Sequence, residues 1–128
     1  MMSTRNGVRV IIVGQNPGNN KKAFYFRNHT IDRLNQWCTE LGLHTYGFVN
    51  AVSKQGECKI KDADFDLLEA CVSCHDKVVA LGSFASACLD RINISHYKLP
   101  HPSPRNRLMN DKEYVQRVLN KCKEYINE

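Results

Sequence analysis

The sequence contains no apolar run long enough to cross a bilayer, which takes about 20 residues. Its longest apolar run, residues 8–13, is interrupted by Arg9. Residues 1–7 lack the apolar core of a signal peptide, so we expect an intracellular protein, cytoplasmic or nuclear, in a reducing compartment. These absences predict no contact with membranes and no framework of disulfides.

The six cysteines also lack the spacing of a structural zinc site, which needs a second Cys/His pair. Cys71 and Cys74 form one CxxC pair, and His75 completes the pattern of c-type haem attachment, while Cys88 and Cys122 are isolated. Haem attachment of this type normally goes with export. We therefore interpret the pair as small half-buried residues that end a helix just before a strand, with metal binding as the alternative. The sequence predicts no cofactor and no metal.

The composition is that of an ordinary globular domain. Apolar residues make up 42% of the 128 residues and charged residues 24%, which excludes collagen, a coiled coil and general disorder. The length predicts one domain over residues 1–128, and we expect a monomer. Eighteen Lys and Arg against thirteen Asp and Glu give a net charge of +5, which permits binding to nucleic acid without requiring it.

Short β-branched runs alternate with amphipathic segments along the chain. This order predicts an α/β fold of three α/β/α layers around a central four-stranded parallel sheet. The predicted strands are residues 8–13, 46–50, 77–81 and, with a weaker pattern, 92–99. The predicted helices are residues 30–37 or beyond, ended by Gly42, and residues 63–74, 83–89 and 111–126. The prolines in residues 100–104 predict a stiff loop.

The carboxyl ends of parallel strands meet at one edge of a sheet, where ligands bind. Four segments follow the predicted strands and are expected to gather there: residues 14–18, 50–52, 82–83 and 101–107. Residues 14–18 do not have the spacing of a phosphate loop and also fit a simple strand-to-helix turn. Taken singly, Asn50 fits a turn residue, Ser83 a helix cap and His101 a solvated loop residue. Pro100 and Pro102 would nevertheless fix the His101 imidazole in place.

Two of these segments carry a family resemblance. Gly14-Gln15-Asn16-Pro17-Gly18 and His101-Pro102-Ser103-Pro104-Arg105-Asn106 together resemble motifs of the uracil-DNA glycosylase superfamily. Gly14-Gln15 is similar to family one, whereas Asn16-Pro17-Gly18 resembles the mismatch-specific and single-strand-selective branches. Phe48-Val49-Asn50-Ala51-Val52 and Leu81-Gly82-Ser83-Phe84-Ala85 resemble the intermediate segments of family one. The four matches occur in family order from Val10 to Asn106.

The resemblance implies a glycosylase that flips its target nucleotide out of the DNA and hydrolyses the N-glycosidic bond of uracil or a related pyrimidine. It implies Asn16 as the residue that positions water and His101 as the one that stabilises the departing base. The residues it assigns to the base are Gln15, Gly18, Phe26 with Phe24 as the competing stacking ring, and Asn50. Those it assigns to DNA are Ser83, Pro102, Ser103, Arg105, Asn106 and Arg107.

The chain departs from family one at two positions. Asn16 stands where that family has an Asp, which predicts slower chemistry because an amide cannot accept a proton. Gly18 stands where family one has a Tyr that screens out 5-substituted bases, which predicts tolerance of 5-substituents. Arg105 occupies the wedge position of the single-strand-selective branch, with Arg107 and Leu108 as alternatives. No Cys precedes Gly14, so the cluster of the iron–sulfur branches is not expected.

Two other functional classes compete with a monofunctional glycosylase. One is a DNA-binding or accessory protein that kept the fold and lost catalysis, and the other is an enzyme acting on a free nucleoside or an unusual base. No Lys in the motifs offers a nucleophile for lyase activity. Residues 1–33 sum to +5 and residues 77–109 to +4, whereas residues 62–76 sum to −5. The acidic helix predicted over residues 63–74 is therefore expected to face away from DNA.

Overall fold

The computed structural model describes residues 8–16, 29–54, 56, 58–102 and 107–128. In these ranges four strands alternate with four helices, as the sequence predicts. The elements are β1 (Val10–Gly14), α1 (His29–Glu40), β2 (Gly47–Asn50), α2 (Phe65–Ser73), β3 (Lys77–Leu81), α3 (Gly82–Arg91), β4 (Tyr97–Leu99) and α4 (Lys112–Ile126), with short 3₁₀ turns at Ile60–Asp62 and Arg107–Asn110.

The four strands form one parallel sheet in the order β2-β1-β3-β4. The central strand β1 is buried along its whole length and pairs with β2 on one side and β3 on the other. This burial explains why its sequence is continuously apolar rather than alternating. The parallel sheet places the end of every strand at the same edge, and the predicted α/β fold is confirmed.

Two hydrophobic clusters cover the two faces of the sheet. One face packs against α1 and α4 through side chains that include Trp37 and Leu119. The other packs against α2 and α3 through Leu68 and Leu89. The molecule therefore has the three predicted α/β/α layers, and the sheet edge at which the strands end lies between the two helix layers.

Several element boundaries differ from the predicted ones. Strand β4 is limited to Tyr97–Leu99, because a turn ends α3 at residues 92–93. Asn93 has a left-handed φ of 57°, a conformation that Asn tolerates better than most residues. The predicted strand over residues 92–99 is therefore wrong in its first half.

Side-chain caps set the starts of two helices. The Asp64 carboxylate accepts a hydrogen bond from the Leu67 main-chain N–H at 3.0 Å, and the Asp111 carboxylate accepts one from the Tyr114 N–H at 3.0 Å. Both arrangements satisfy N–H groups that have no partner within the helix. Helices α2 and α4 therefore begin one residue after these caps.

The cysteines are all free thiols, and Cys71 and Cys74 lie at the end of α2 ahead of β3, as predicted. Cys71 is half-buried as expected, whereas Cys74 is exposed, so the predicted burial is wrong for Cys74. No helix in the described part of the chain combines the length and apolar character needed to cross a membrane.

Candidate active site

The ends of the four strands bring the predicted motif residues to one edge. Gln15 and Asn16 follow β1, Asn50 ends β2, and Ser83 follows β3 at the second position of α3. His101 lies two residues beyond the end of β4. Because the strands are parallel and paired in register, these residues share the carboxyl edge of the sheet.

Asn16 is held by the main chain of the segment that follows β2. Its side-chain nitrogen Nδ2 donates to the main-chain oxygen of Gly56 at 2.8 Å and to that of Lys54 at 3.3 Å. Carbonyl oxygens only accept, so these partners fix which end of the amide is the nitrogen. Because both amide hydrogens are engaged, Asn16 presents its oxygen Oδ1 to a ligand, and this oxygen is a hydrogen-bond acceptor.

Main-chain hydrogen bonds extend the pairing of β1 and β2 into the site. The N–H of Ala51 donates to the oxygen of Gly14 at 2.8 Å, and the N–H of Val52 donates to the oxygen of Gln15 at 2.9 Å. Ala51 and Val52 are themselves buried. These bonds place Gln15 on a rigid part of the scaffold, directly before Asn16.

Gly14 leaves room for the side chain of Asn50. A Cβ atom on Gly14 would lie 2.8 Å from Asn50 Oδ1 and 3.0 Å from Cζ of Phe48, so the two side chains would have to move. Phe48 is 48% exposed, although it belongs to a strand. Because Gly14 has no side chain, the amide of Asn50 and the ring of Phe48 can lie together at the end of β2. Phe48 was not among the site residues predicted from the sequence.

His101 packs against the left-handed turn at Gly82. Gly82 has φ 85°, and a Cβ at this position would lie 3.1 Å from the Cβ of His101. Burial lowers the pKa of His101, because a protonated imidazole loses hydration there. The imidazole is therefore neutral at pH 7, the form that donates one N–H and accepts at the other nitrogen.

Pro102 anchors the loop that carries His101. Its ring is fully buried, and the predicted contact of Pro102 with DNA stays a prediction. Burying the ring fixes the residue next to His101, which suits a group that must be held in one orientation.

A cation lies beside Ser83. Lys98 Nζ donates to Ser83 Oγ at 3.5 Å, and both residues are exposed. A hydroxyl at the start of a helix together with an ammonium group is a combination that favours an anion. Sequence reasoning missed Lys98, because its signal was only one charged residue in a short strand.

An open groove begins at Gln15 and has a volume of about 600 Å³. We call it the lysine groove, and its lining residues are Gln15, Lys54, Cys58, Lys59, Lys61 and Asp62. Gln15 Nε2 lies 3.6 Å from the sulfur of Cys58 across it. Asp62, which directly precedes the predicted acidic helix, also lines this groove. The expectation that the acidic helix faces away from DNA stays a prediction.

Some predicted residues lie outside the described ranges, namely Gly18, Phe24, Phe26, Ser103, Arg105 and Asn106. Arg107 is exposed at the start of the second 3₁₀ turn. Leu108 beside it is 50% exposed. Within the residues that the structure describes, there is no cluster of three His, Cys, Asp or Glu side chains suited to hold a metal ion.

The sequence profile of the uracil DNA glycosylase superfamily matches residues 2–123, almost the whole chain. A comparison with curated protein sequences gave no match.

Proposed function

The chain belongs to the uracil-DNA glycosylase superfamily, whose members act on DNA, and we propose that it is a monofunctional glycosylase for uracil or a related pyrimidine. It hydrolyses the N-glycosidic bond after the target nucleotide has been extruded from the DNA. The observation that carries this proposal is that the carboxyl edge of the sheet holds both Asn16, whose amide presents its oxygen as an acceptor, and His101, whose pKa is lowered by burial so that it is neutral at pH 7.

Asn50 reads the base in this proposal. Its amide offers an acceptor and a donor, which match the N3–H and the O4 of uracil, whereas cytosine presents the opposite pattern on that edge. The main-chain bonds of the adjoining Ala51 and Val52 support Asn50 at the end of β2. Phe26, with Phe24 as the alternative, stacks on the face of the base.

Bond cleavage leaves positive charge on the sugar and negative charge on the base. The bond between C1′ and the base nitrogen breaks, and its electron pair leaves with the base. The N–H of neutral His101 donates to the base oxygen on which this charge collects. A neutral donor suits this role because it stabilises the anion without first protonating it.

Asn16 positions the water that completes the reaction. Its Oδ1 accepts a hydrogen bond from the water, whose oxygen forms the new bond to C1′. An amide is too weak a base to take the proton, so the proton passes to the departed base. The sugar keeps a hydroxyl, and the overall reaction consumes one water molecule.

An oligonucleotide with a single uracil tests the proposal directly. Incubation followed by alkali should cleave the strand, and Asn16→Ala and His101→Ala should each lower the rate at least about 100-fold. Asn120→Ala and His44→Ala are matched controls, because both residues are exposed and neither belongs to the motifs. Full activity in either of the first two variants would contradict the assigned chemistry.

A binding protein without catalysis is the second candidate, favoured by the amide at position 16 where family one has a carboxylate. It predicts tight binding of the same oligonucleotide without strand cleavage at any enzyme concentration. Cleavage that disappears in His101→Ala excludes it.

The range of accepted bases follows from Gly18. We expect excision of 5-hydroxymethyluracil alongside uracil, and complete rejection of the substituted base would contradict the role of Gly18.

The wedge function belongs to the loop after His101 in this proposal. Arg105→Ala should weaken activity on duplex DNA. Leu108 is the alternative wedge, because apolar side chains insert between base steps.

A further inference from the structure

The lysine groove has an excess of positive charge. Among the six described residues that line it, three are lysines and one, Asp62, is acidic. The Asp62 carboxylate accepts from the Lys59 main-chain N–H at 2.7 Å and pairs with Lys54 Nζ at 3.5 Å. Among the described residues no salt bridge engages the ammonium groups of Lys59 and Lys61. Lys59 and Lys61 are exposed, so their charges are accessible to an anionic ligand, while Lys61 also lies close enough to Asp62 to help lower the pKa of that carboxyl.

The groove and Asn50 lie on opposite sides of the sheet edge. Side chains alternate along a strand, so Asn50 shares the face of Phe48, whose partner in β1 is Ile12 of the α1/α4 core. The turn that carries Lys59 and Lys61 is attached to the other core, where Ile60 packs with the side chains of α2 and α3. Asn50 is absent from the residues that line the groove.

A ligand that reaches both sides must cross the end of β1. The residues at that end are Gln15, which lines the groove, and Asn16, whose amide is tied to Lys54 and Gly56. A nucleotide with its base at Asn50 and its phosphates in the groove therefore brings its sugar over Asn16. This path places the glycosidic bond next to the residue that positions water.

We propose that the lysine groove binds the phosphodiester backbone of the DNA strand that carries the target nucleotide. Lys59 and Lys61 contact phosphates next to that nucleotide, and the amide of Gln15 adds a polar contact at the entrance. This inference rests on the proposed function for the identity of the strand. The groove gives the protein grip on a single strand without reading base sequence.

Salt dependence of binding measures such contacts. The probe is a short fluorescent single-stranded oligonucleotide with one stable abasic-site analogue, titrated by anisotropy at several salt concentrations. In Lys59→Gln/Lys61→Gln the slope of log K against log salt should fall by about 1.4, since each single-strand phosphate contact contributes about 0.7. The same slope change predicts binding weaker by up to about 60-fold at about 50 mM salt and little difference near about 1 M.

A second variant moves binding in the opposite direction. Asp62→Asn removes the opposing charge but keeps an oxygen that accepts from the Lys59 N–H, so binding at low salt should become tighter. Arg117→Gln/Lys121→Gln is the charge-matched control, because both residues are exposed on α4. Lys54 is left unchanged, since its ammonium group pairs with Asp62.

Cleavage of a uracil oligonucleotide by the unchanged protein is measured in parallel. If the Lys59/Lys61 variant keeps the original slope, or loses no more than the α4 control, the groove does not bind the backbone, even if cleavage supports the proposed function. If the slope falls as expected while no cleavage occurs, the groove is upheld and the proposed chemistry fails. Weaker binding in Asp62→Asn would also overturn the inference.

Discussion

The side-chain nitrogen of Asn16 and the main-chain oxygen of Gly56 are 2.8 Å apart, so a loop glycine holds the amide assigned to water positioning. Gly56 has φ 92°, a backbone conformation that residues with a Cβ rarely adopt. The orientation of the Asn16 amide therefore depends on a residue that has no side chain of its own.

Gly56→Ala should lower the glycosylase activity per folded molecule and not only the fraction of folded protein. An Ala with left-handed φ costs about 1–2 kcal/mol of folding free energy. This strain should shift the carbonyl of residue 56 and release the Asn16 amide, so we expect a cleavage rate roughly 10- to 100-fold lower. Single-turnover cleavage and thermal unfolding measure the two effects. Gly42→Ala is the control, since Gly42 has φ 76° at the far end of α1. Equal activity per folded molecule in both variants would count against the role of Gly56.

Gly82→Ala should displace His101. The new Cβ would sit 3.1 Å from the Cβ of His101 in a backbone of φ 85°, so the imidazole must shift by a few tenths of an ångström. We expect about a tenfold loss of rate with unchanged DNA affinity, because the N–H no longer meets the base oxygen. Rates under saturating enzyme and binding by anisotropy separate these effects. A loss of affinity with normal rate would point to Ser83 instead.

The pH profile of cleavage should have a single acid limb with its midpoint below 6.5, the ordinary pKa of His. Burial lowers the pKa of His101, so the neutral, active form persists to lower pH and is lost only as the pH falls through the lowered pKa. Asn16 does not titrate and adds no second limb. The same shift makes folding less favourable as the pH falls below 6.5. A midpoint above that value, or an unchanged limb in His101→Gln, would refute the assignment.

Gly14→Ala should make the protein less selective for uracil. The added methyl group would lie 2.8 Å from Asn50 Oδ1, so the amide must move away from the edge of the base. We expect the preference for uracil over cytosine to fall at least about tenfold, with an overpacking cost of about 1–3 kcal/mol. Gly47→Ala is the control on the same sheet, because its methyl group would meet His75 at 2.7 Å, outside the motif residues. The two variants should differ in base preference and agree in lowered stability.

Thiol reactivity should report the folding of the core. Burial raises the pKa of Cys122 to about 12, so at about pH 8 only about one molecule in ten thousand has the reactive thiolate. Cys74 is exposed. Maleimide labelling followed by peptide mass spectrometry should modify Cys74 within minutes and Cys122 only after unfolding. Similar rates for the two would show that the α4 layer opens readily.

The fold could be predicted from the sequence because buried parallel strands have a distinctive apolar pattern. The predicted strand over residues 77–81 has the observed bounds, and the layers and the shared edge followed from the alternation of strands and helices. The fourth strand was placed too early because Ile92 and Ile94 resemble strand residues, while the left-handed turn at Asn93 depends on how α3 ends.

The site was predictable only where motifs mark it. Asn16, Asn50 and His101 stand in recognisable segments, and the parallel sheet brings their backbones to one edge. The contacts that hold them involve main-chain carbonyls and missing side chains, at Gly56 and Gly82, which leave no chemical signal in a sequence. The lysine groove was missed because its residues approach Gln15 only when the chain after β2 folds back.

The attachment of Asn16 to the loop after β2 also sets how many molecules are ready to react. In the proposed mechanism Asn16 positions water only while the Lys54 and Gly56 carbonyls hold its amide, so the rate should scale with the fraction of molecules that have both hydrogen bonds. If these bonds were favoured by only about 1.4 kcal/mol, roughly one molecule in ten would be idle at any moment. If Lys59 and Lys61 bind the DNA strand as proposed, the bound strand contacts the chain segment that also carries Lys54 and Gly56, so substrate binding should raise the active fraction.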